Sequence, residues 1–422
     1  MWINIIIKVN FKINNSKFKQ LTKFNLIYFL IVSIIVFLLI HTGILYNVYI
    51  NPTKELFSDF LYLFKIANCH HQGFDVYSVN TCYRDYYGSY LYGPLVLLIP
   101  SMSLEMVNFI IYPISTLLIL LFVYLTVKIL KPNNVFKYFL ASVILLNPVT
   151  FFLYERLNID IIIYIFLILL VYSTKRNYIQ LLIISCLTLI KFYPAVLSIL
   201  FIIKNKNKII KGLFYSILSL TLLMIFIYIF WENLKSIAAS LEFVSQSFRY
   251  SFSLNSFSKI LSHLLNNENI LMYKIILIFG NLFLSLVFFN FFLNKIILNF
   301  DIQSEKNLHM FILSATLSIS LYLIFGNNFY REIYLIGVMP YLINKSKIKF
   351  FTYFIYIYLF KLLYLLIFFP YYYKSNLGHD KTAQILIGLK SSIDYMFIAL
   401  LLSILLLIFK TYYNIFKKNL LK

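Results

Sequence analysis

Apolar runs of about 20 residues, each long enough to cross roughly 30 Å of hydrocarbon, recur from one end of this chain to the other. Inside hydrocarbon every backbone N–H and C=O must be satisfied within the chain, which leaves helices or closed barrels. A barrel strand alternates strictly between its two faces, and stretches such as IYFLIVSIIVFLLI (27–40) do not alternate. Only 12% of the 422 residues are charged, against about 25% in a soluble domain. The expected fold class is therefore an all-α polytopic membrane protein.

The formal charge of +22 invites a nucleic-acid reading, but its placement argues for a membrane instead. Lys and Arg gather at the ends of the apolar runs, as the positive-inside rule requires, so no nucleic-acid partner is expected. Ten spans follow: 25–46, 105–128, 136–153, 159–174, 211–231, 271–294, 308–325, 333–344, 350–369 and 386–410. Residues 177–203 lie between two basic clusters, STKRN and KNKNKIIK, and a single crossing would put one of them outside. A re-entrant hairpin broken at Pro194 keeps both inside, with Lys191 beside a covered cavity. On this scheme 1–24 is a basic cytoplasmic N-terminus, 25–410 one membrane domain and 411–422 a basic cytoplasmic tail. Thirteen of the fifteen acids then face the exoplasmic side, within the loop 47–104, the second loop 232–270 and shorter turns. Lys274 and Lys361 fall within spans.

Ionisable groups at membrane level are costly and usually mark a site or pair with one another. Asp59 opens a run, DFLYLFKIA, with Phe60, Leu63, Phe64 and Ala67 on one side, which reads as an amphipathic helix on the exoplasmic membrane surface. Its carboxylate suits a helix N-terminus, with or without a chemical role. Glu155, Arg156 and Asp160 read equally as a helix-capping ion pair and as site residues. His70 and His71 are adjacent, a poor spacing for a shared metal, and no metal or other cofactor is expected. Cys69 and Cys82 share one exoplasmic loop and are either a disulfide or two thiols; Cys186 lies in an apolar stretch.

Residues 58–78 followed by YLYGPLVLLIP (90–100) resemble the opening of the polyprenyl-phosphate-mannose-dependent glycosyltransferases of the GT-C superfamily, the family of mycobacterial-type phosphatidylinositol-mannoside mannosyltransferases (glycosyltransferase family 87). There an exoplasmic Asp precedes a G-x-D/N-x-Y turn and a Y-x-P-L segment; here these are Asp59, Gly73, Asp75, Tyr77, Tyr92, Pro94 and Leu95. NPVTFFLYERLNIDIIIYI (147–165) is similar to a second block, LTLIKFYPAVLSILFIIKNK (187–206) to a third, and SLNSFSKIL (253–261) weakly to a fourth. The likeness covers roughly 58–204. Gly93 stands where a second Pro is common and Leu157 where Gly is usual.

The resemblance implies a GT-C-like fold and transfer of a hexose, mannose in that family, from a polyprenyl-phosphate sugar to a hydroxyl of a lipid or glycan acceptor, with inversion. It implies Asp59 as general base. The lipid phosphate needs cationic partners as charge moves onto it, and Lys191, Arg331 and Arg156 are the candidates. Asp75, Tyr77, Tyr92, Asn158, Asp160 and Tyr193 complete the expected substrate-binding set. The setting expected is a bacterial inner membrane with both termini cytoplasmic. A transporter or flippase for a lipid-linked glycan, using Lys274 or Lys361, and a polysaccharide polymerase or ligase are the competing classes.

Overall fold

The computed structural model describes residues 23–42, 56–77, 92–172, 176–205, 209–235, 252–265, 269–295, 305–324, 329–346, 349–374 and 381–420, and among them all regular structure is helical. Among the described residues five helices are long and apolar enough to cross a membrane: Leu104–Leu130, Ile209–Ile229, Ile270–Lys295, Lys349–Lys374 and Lys381–Leu420. The chain is thus a multi-pass helical membrane protein. A sixth candidate is the pair Val135–Leu145 and Pro148–Arg156, bent by 45°. The bend has a local cause. Asn147 caps the second helix by accepting from the N–H groups of Val149 and Thr150, and Pro148 has no N–H to continue the first.

The other expected spans are shorter elements. The first helix runs Lys23–His41; residues 43–46 of its expected range lie outside the described residues. Asp160–Tyr172 has 13 residues, about 20 Å at 1.5 Å per residue. The helix in the region of 308–325 is Glu305–Ile324. The expected span 333–344 is not one helix but a 3-10 helix, Phe329–Val338, followed by Met339–Asn344, and residues 332–343 are buried. The apolar side chains of Asp160–Tyr172 and of residues 332–343 are largely buried against other helices, whereas Lys23–His41 exposes Leu26, Ile27, Leu30, Ile31, Ile34 and Leu38.

Residues 177–205 double back on themselves. One arm is Asn177–Ile190 and the other Tyr193–Ser198 continued by Ile199–Lys204. At the open end Asn177 Nδ2 donates to Asn205 Oδ1 at 3.3 Å and Lys204 Nζ to Gln180 Oε1 at 2.8 Å. Lys191 is therefore at the turn, in extended backbone, with Pro194 opening the return arm.

The helix at Ser58–His71 differs from a one-sided surface helix. Leu61, Lys65, Ile66 and Cys69 are buried as well as Phe60, Leu63, Phe64 and Ala67. It is wedged among the Leu104–Leu130 and Pro148–Arg156 helices and a 3-10 helix at Pro94–Leu98. Only its last turn, with His70 and His71, is exposed, and Gly73 at φ 86° turns the chain away. Cys69 is disulfide-bonded and Cys186 a free thiol; Cys82, the candidate partner of Cys69, lies outside the described residues.

Two backbone hydrogen bonds bring the distant segments together. Phe57 N–H donates to Glu155 C=O at 2.7 Å, with Phe57 in the left-handed region, and fixes the start of the Ser58–His71 helix to the end of Pro148–Arg156. Gly93 N–H donates to Ile190 C=O at 2.8 Å and fixes Tyr92 to the hairpin turn. A Cβ on Gly93 would fall on the carbonyl oxygen of Leu189, and a proline there would also lose the N–H. Gly93→Ala is expected to destabilise the protein by about 1–3 kcal/mol, the usual range for overpacking, read as a lowered thermal midpoint in detergent.

Candidate active site

Five segments converge on one polar cluster. Each is positioned by local chemistry. Asp59 stands in the first turn of its helix, where exposed N–H groups favour a carboxylate. Arg156 ends the Pro148–Arg156 helix. Leu157 then takes a left-handed conformation, φ 42°, a region that glycine enters at no steric cost. Asn158 turns the chain into the next helix by accepting from Asp160 N–H at 3.2 Å. The hairpin supplies Lys191 and Tyr193, and the 3-10 helix Phe329–Val338 supplies Arg331 and Tyr334.

Arg156 donates to Asp59 Oδ1 through Nε at 2.8 Å and Nη2 at 2.5 Å. Asn158 Nδ2 donates to Asp59 Oδ2 at 2.6 Å, while Asn158 Oδ1 accepts from Lys191 Nζ at 2.9 Å. The donors and acceptors around this amide permit only one orientation. It therefore couples two ion pairs, Asp59–Arg156 and Asp160–Lys191. Lys191 Nζ reaches Asp160 Oδ2 at 2.8 Å, Arg331 Nε lies 3.5 Å from the same oxygen, and Tyr334 Oη donates to Asp160 Oδ1 at 2.8 Å. Tyr193 and Tyr334 share a hydroxyl contact of 3.0 Å. The rings of Tyr92 and Tyr193 lie 5.0 and 5.8 Å from Lys191 Nζ, close enough for cation–π attraction.

Exposure gives the cluster a floor and an opening. The side chains of Asp160 and Lys191 are 0% and 5% exposed, those of Asp59, Arg331 and Arg156 are 12%, 17% and 24%. Three cations face two carboxylates, so the five groups carry one excess positive charge. The arrangement is suited to holding an anion beside a carboxylate.

Of the residues singled out in the sequence, Asp59, Tyr92, Arg156, Asn158, Asp160, Lys191, Tyr193 and Arg331 meet here. The ion pair expected as a local helix cap is not local: Arg156 pairs with Asp59, 97 positions away. Asp75 and Tyr77 are not part of the network described. Asp75 Oδ1 accepts from Tyr77 N–H at 3.0 Å, closing a turn, and both line a separate cavity of about 410 Å³ with His70, Pro94, Phe230 and Asn233. His71 Nε2 bonds the carbonyl of Ile99 at 2.8 Å. Tyr334 was not anticipated; its signal is its place three residues after Arg331, since i and i+3 share an edge of a 3-10 helix.

The chain matches no family model, no curated protein and no solved structure. What the site can do rests on its own geometry.

Lys191 lies outside the five spanning helices, and its ammonium is pushed down from 10.5 to about 8. Burial is the main cause; Asp160 opposes it, Arg331 adds to it and Asp59 opposes it. Above about 8 the native lysine is neutral while the unfolded one stays protonated up to 10.5. The unfolded chain then binds more protons, so the stability linked to this group rises with pH across that window. Anion binding, which needs the ammonium, runs the other way. Stabilisation of the protein by sulfate, which does not titrate here, is expected to fade as pH rises through about 8, and Lys191→Met to remove that dependence, both read by thermal unfolding against pH.

Proposed function

We propose that the protein is a membrane glycosyltransferase that moves a hexose, mannose by the family resemblance, from a polyprenyl-phosphate sugar to a hydroxyl of a lipid or glycan acceptor. The observation that carries this reading is the meeting of Asp59 with Arg156, Lys191 and Arg331 in one partly open cluster. A lipid-linked sugar phosphate is an activated donor whose leaving group departs as an anion. The acceptor hydroxyl attacks the anomeric carbon, the bond from that carbon to the phosphate oxygen breaks, and the phosphate takes the electron pair. The hydroxyl proton passes to a carboxylate, and one well-placed base suffices.

Asp59 is that base. Its Oδ1 is engaged by Arg156 and its Oδ2 by Asn158, which orients the carboxylate while leaving acceptor capacity on its oxygens. The guanidinium groups of Arg331 and Arg156 stand at the opening, where charge develops on the leaving phosphate, with the Lys191 ammonium behind them. No acid is needed to protonate a phosphate, in contrast to the paired carboxyls of glycosidases. One displacement inverts the anomeric centre. Asp75 and Tyr77, in their neighbouring cavity, are assigned to the acceptor side. In this reading the site is exoplasmic, both termini are cytoplasmic, and the membrane is a bacterial inner membrane with ten crossings in a GT-C-like arrangement.

A transporter would use a cation within a span. Lys361, one of the two residues that suggested one, is held between Glu332 and Asp394 at 2.7 and 2.6 Å, which leaves Lys274, in the Ile270–Lys295 helix, to carry that reading. Membranes supplied with a panel of radiolabelled polyprenyl-phosphate sugars are expected to form labelled lipid or glycan with one of them. Asp59→Asn, which keeps the shape and removes the base, is expected to cut transfer by about 10²-fold or more while the protein inserts normally. Full transfer by that variant, or uptake with no covalent product, would sink the proposal.

A further inference from the structure

Beside the site lies a second cluster that the reaction does not use. Glu332 Oε2 and Asp394 Oδ1 flank Lys361 Nζ at 2.7 and 2.6 Å, and Glu332 Oε1 and Asp394 Oδ2 flank Lys390 Nζ at 3.1 and 2.8 Å. All four side chains are 1–5% exposed. The rings of Phe252 and Phe397 lie against Lys361 at 4.8 and 5.8 Å. Two cations and two carboxylates leave no net charge. The four charges balance one another, so the group calls for no further counterion.

Charge balance does not explain why it is there. Burying an ion costs several kcal/mol, and apolar residues of similar volume often do as well for stability. The explanation lies in what Glu332 is attached to. It belongs to the 3-10 helix Phe329–Val338, a run of ten residues, whereas such helices rarely exceed three or four because their hydrogen bonds are poor. Something outside the helix must hold this one. Three residues per turn put Arg331, Tyr334 and Gly337 on one edge. Arg331 and Tyr334 meet Asp160 from that edge, and Gly337 sits where a Cβ would strike Ser314. Relaxation to 3.6 residues per turn would separate Arg331 and Tyr334 by about 60° around the axis, and they would no longer reach one carboxylate side by side.

We propose that Glu332, clamped between Lys361 and Lys390, is a positioning residue that holds this helix in its 3-10 register and so aims Arg331 and Tyr334 at Asp160. The clamp draws on two separate helices, Lys349–Lys374 and Lys381–Leu420, so it also ties the site to the C-terminal part of the chain. Only the identity of the anion received by Arg331 rests on the functional reading above; the clamp itself does not.

Two paired variants separate this role from packing. Glu332→Leu with Lys361→Met leaves the Lys390–Asp394 pair intact and frees the 3-10 helix. Lys390→Met with Asp394→Leu removes the same charges but leaves Glu332 bound to Lys361. Hydrogen exchange of peptide 329–338 is expected to speed up by about tenfold or more in the first and to stay within about threefold of wild type in the second. In the same preparations, affinity for polyprenyl phosphate, read by thermal shift, is expected to fall about tenfold in the first variant alone. Equal exchange in the two variants overturns the proposal. So does undiminished polyprenyl-phosphate binding by the first variant when the wild type binds. If the exchange contrast appears and the wild type binds no polyprenyl phosphate, the clamp stands and the glycosyl-transfer reading falls. Glu332→Gln, which keeps the shape and removes the charge, gives the same exchange comparison if the first pair is not recovered.

Discussion

A carboxylate and an ammonium with almost no access to water, Asp160 and Lys191, can coexist in the interior only as partners. Removing one partner of such a pair typically costs about 3–5 kcal/mol, because a bare charge is left behind. That requirement organises much of the surrounding structure. It draws the hairpin turn against the start of the Asp160–Tyr172 helix, and it draws Asn158, Arg331 and Tyr334 in to satisfy the remaining valences. Asp59 then joins through the same amide that serves Lys191.

The two charge clusters differ in the property that decides their use. Glu332, Lys361, Lys390 and Asp394 balance and are closed. Asp59, Arg156, Asp160, Lys191 and Arg331 carry a surplus cation and open at the edge formed by Asp59, Arg156 and Arg331. A closed neutral group fixes geometry, and an open charged one can receive a ligand. Glu332 and Arg331 are consecutive residues, so one short helix takes part in both.

Helical character and membrane residence were legible because apolar runs leave few alternatives. The number of long helices was not, since hydropathy cannot tell a lipid-facing run from one buried in protein. The short Asp160–Tyr172 helix and the Phe329–Asn344 region are as apolar as spans and are largely covered by neighbours. Most of the candidate site was legible from clustered polar residues between greasy runs. Its pairing was not: Arg156 looked local to Glu155 and Asp160 but reaches back to Asp59. Counting charge by side does not reveal that Glu332, Lys390 and Asp394 are buried together with Lys361. The i, i+4 spacing of Lys390 and Asp394 carried that information, as helical neighbours of opposite sign can pair.

The spacing of partners along the chain has a consequence for biosynthesis. Asp160 and Lys191 are 31 residues apart, whereas Asp160 and Tyr334 are separated by 174. At about 5–20 residues per second, the ribosome delivers Lys191 within seconds of Asp160, so the most deeply buried carboxylate meets a counterion early in its insertion. Arg331 and Tyr334 arrive much later, and the lysines that clamp Glu332 later still. A chain truncated before those last helices would hold a hairpin already folded on its charge but no finished cradle.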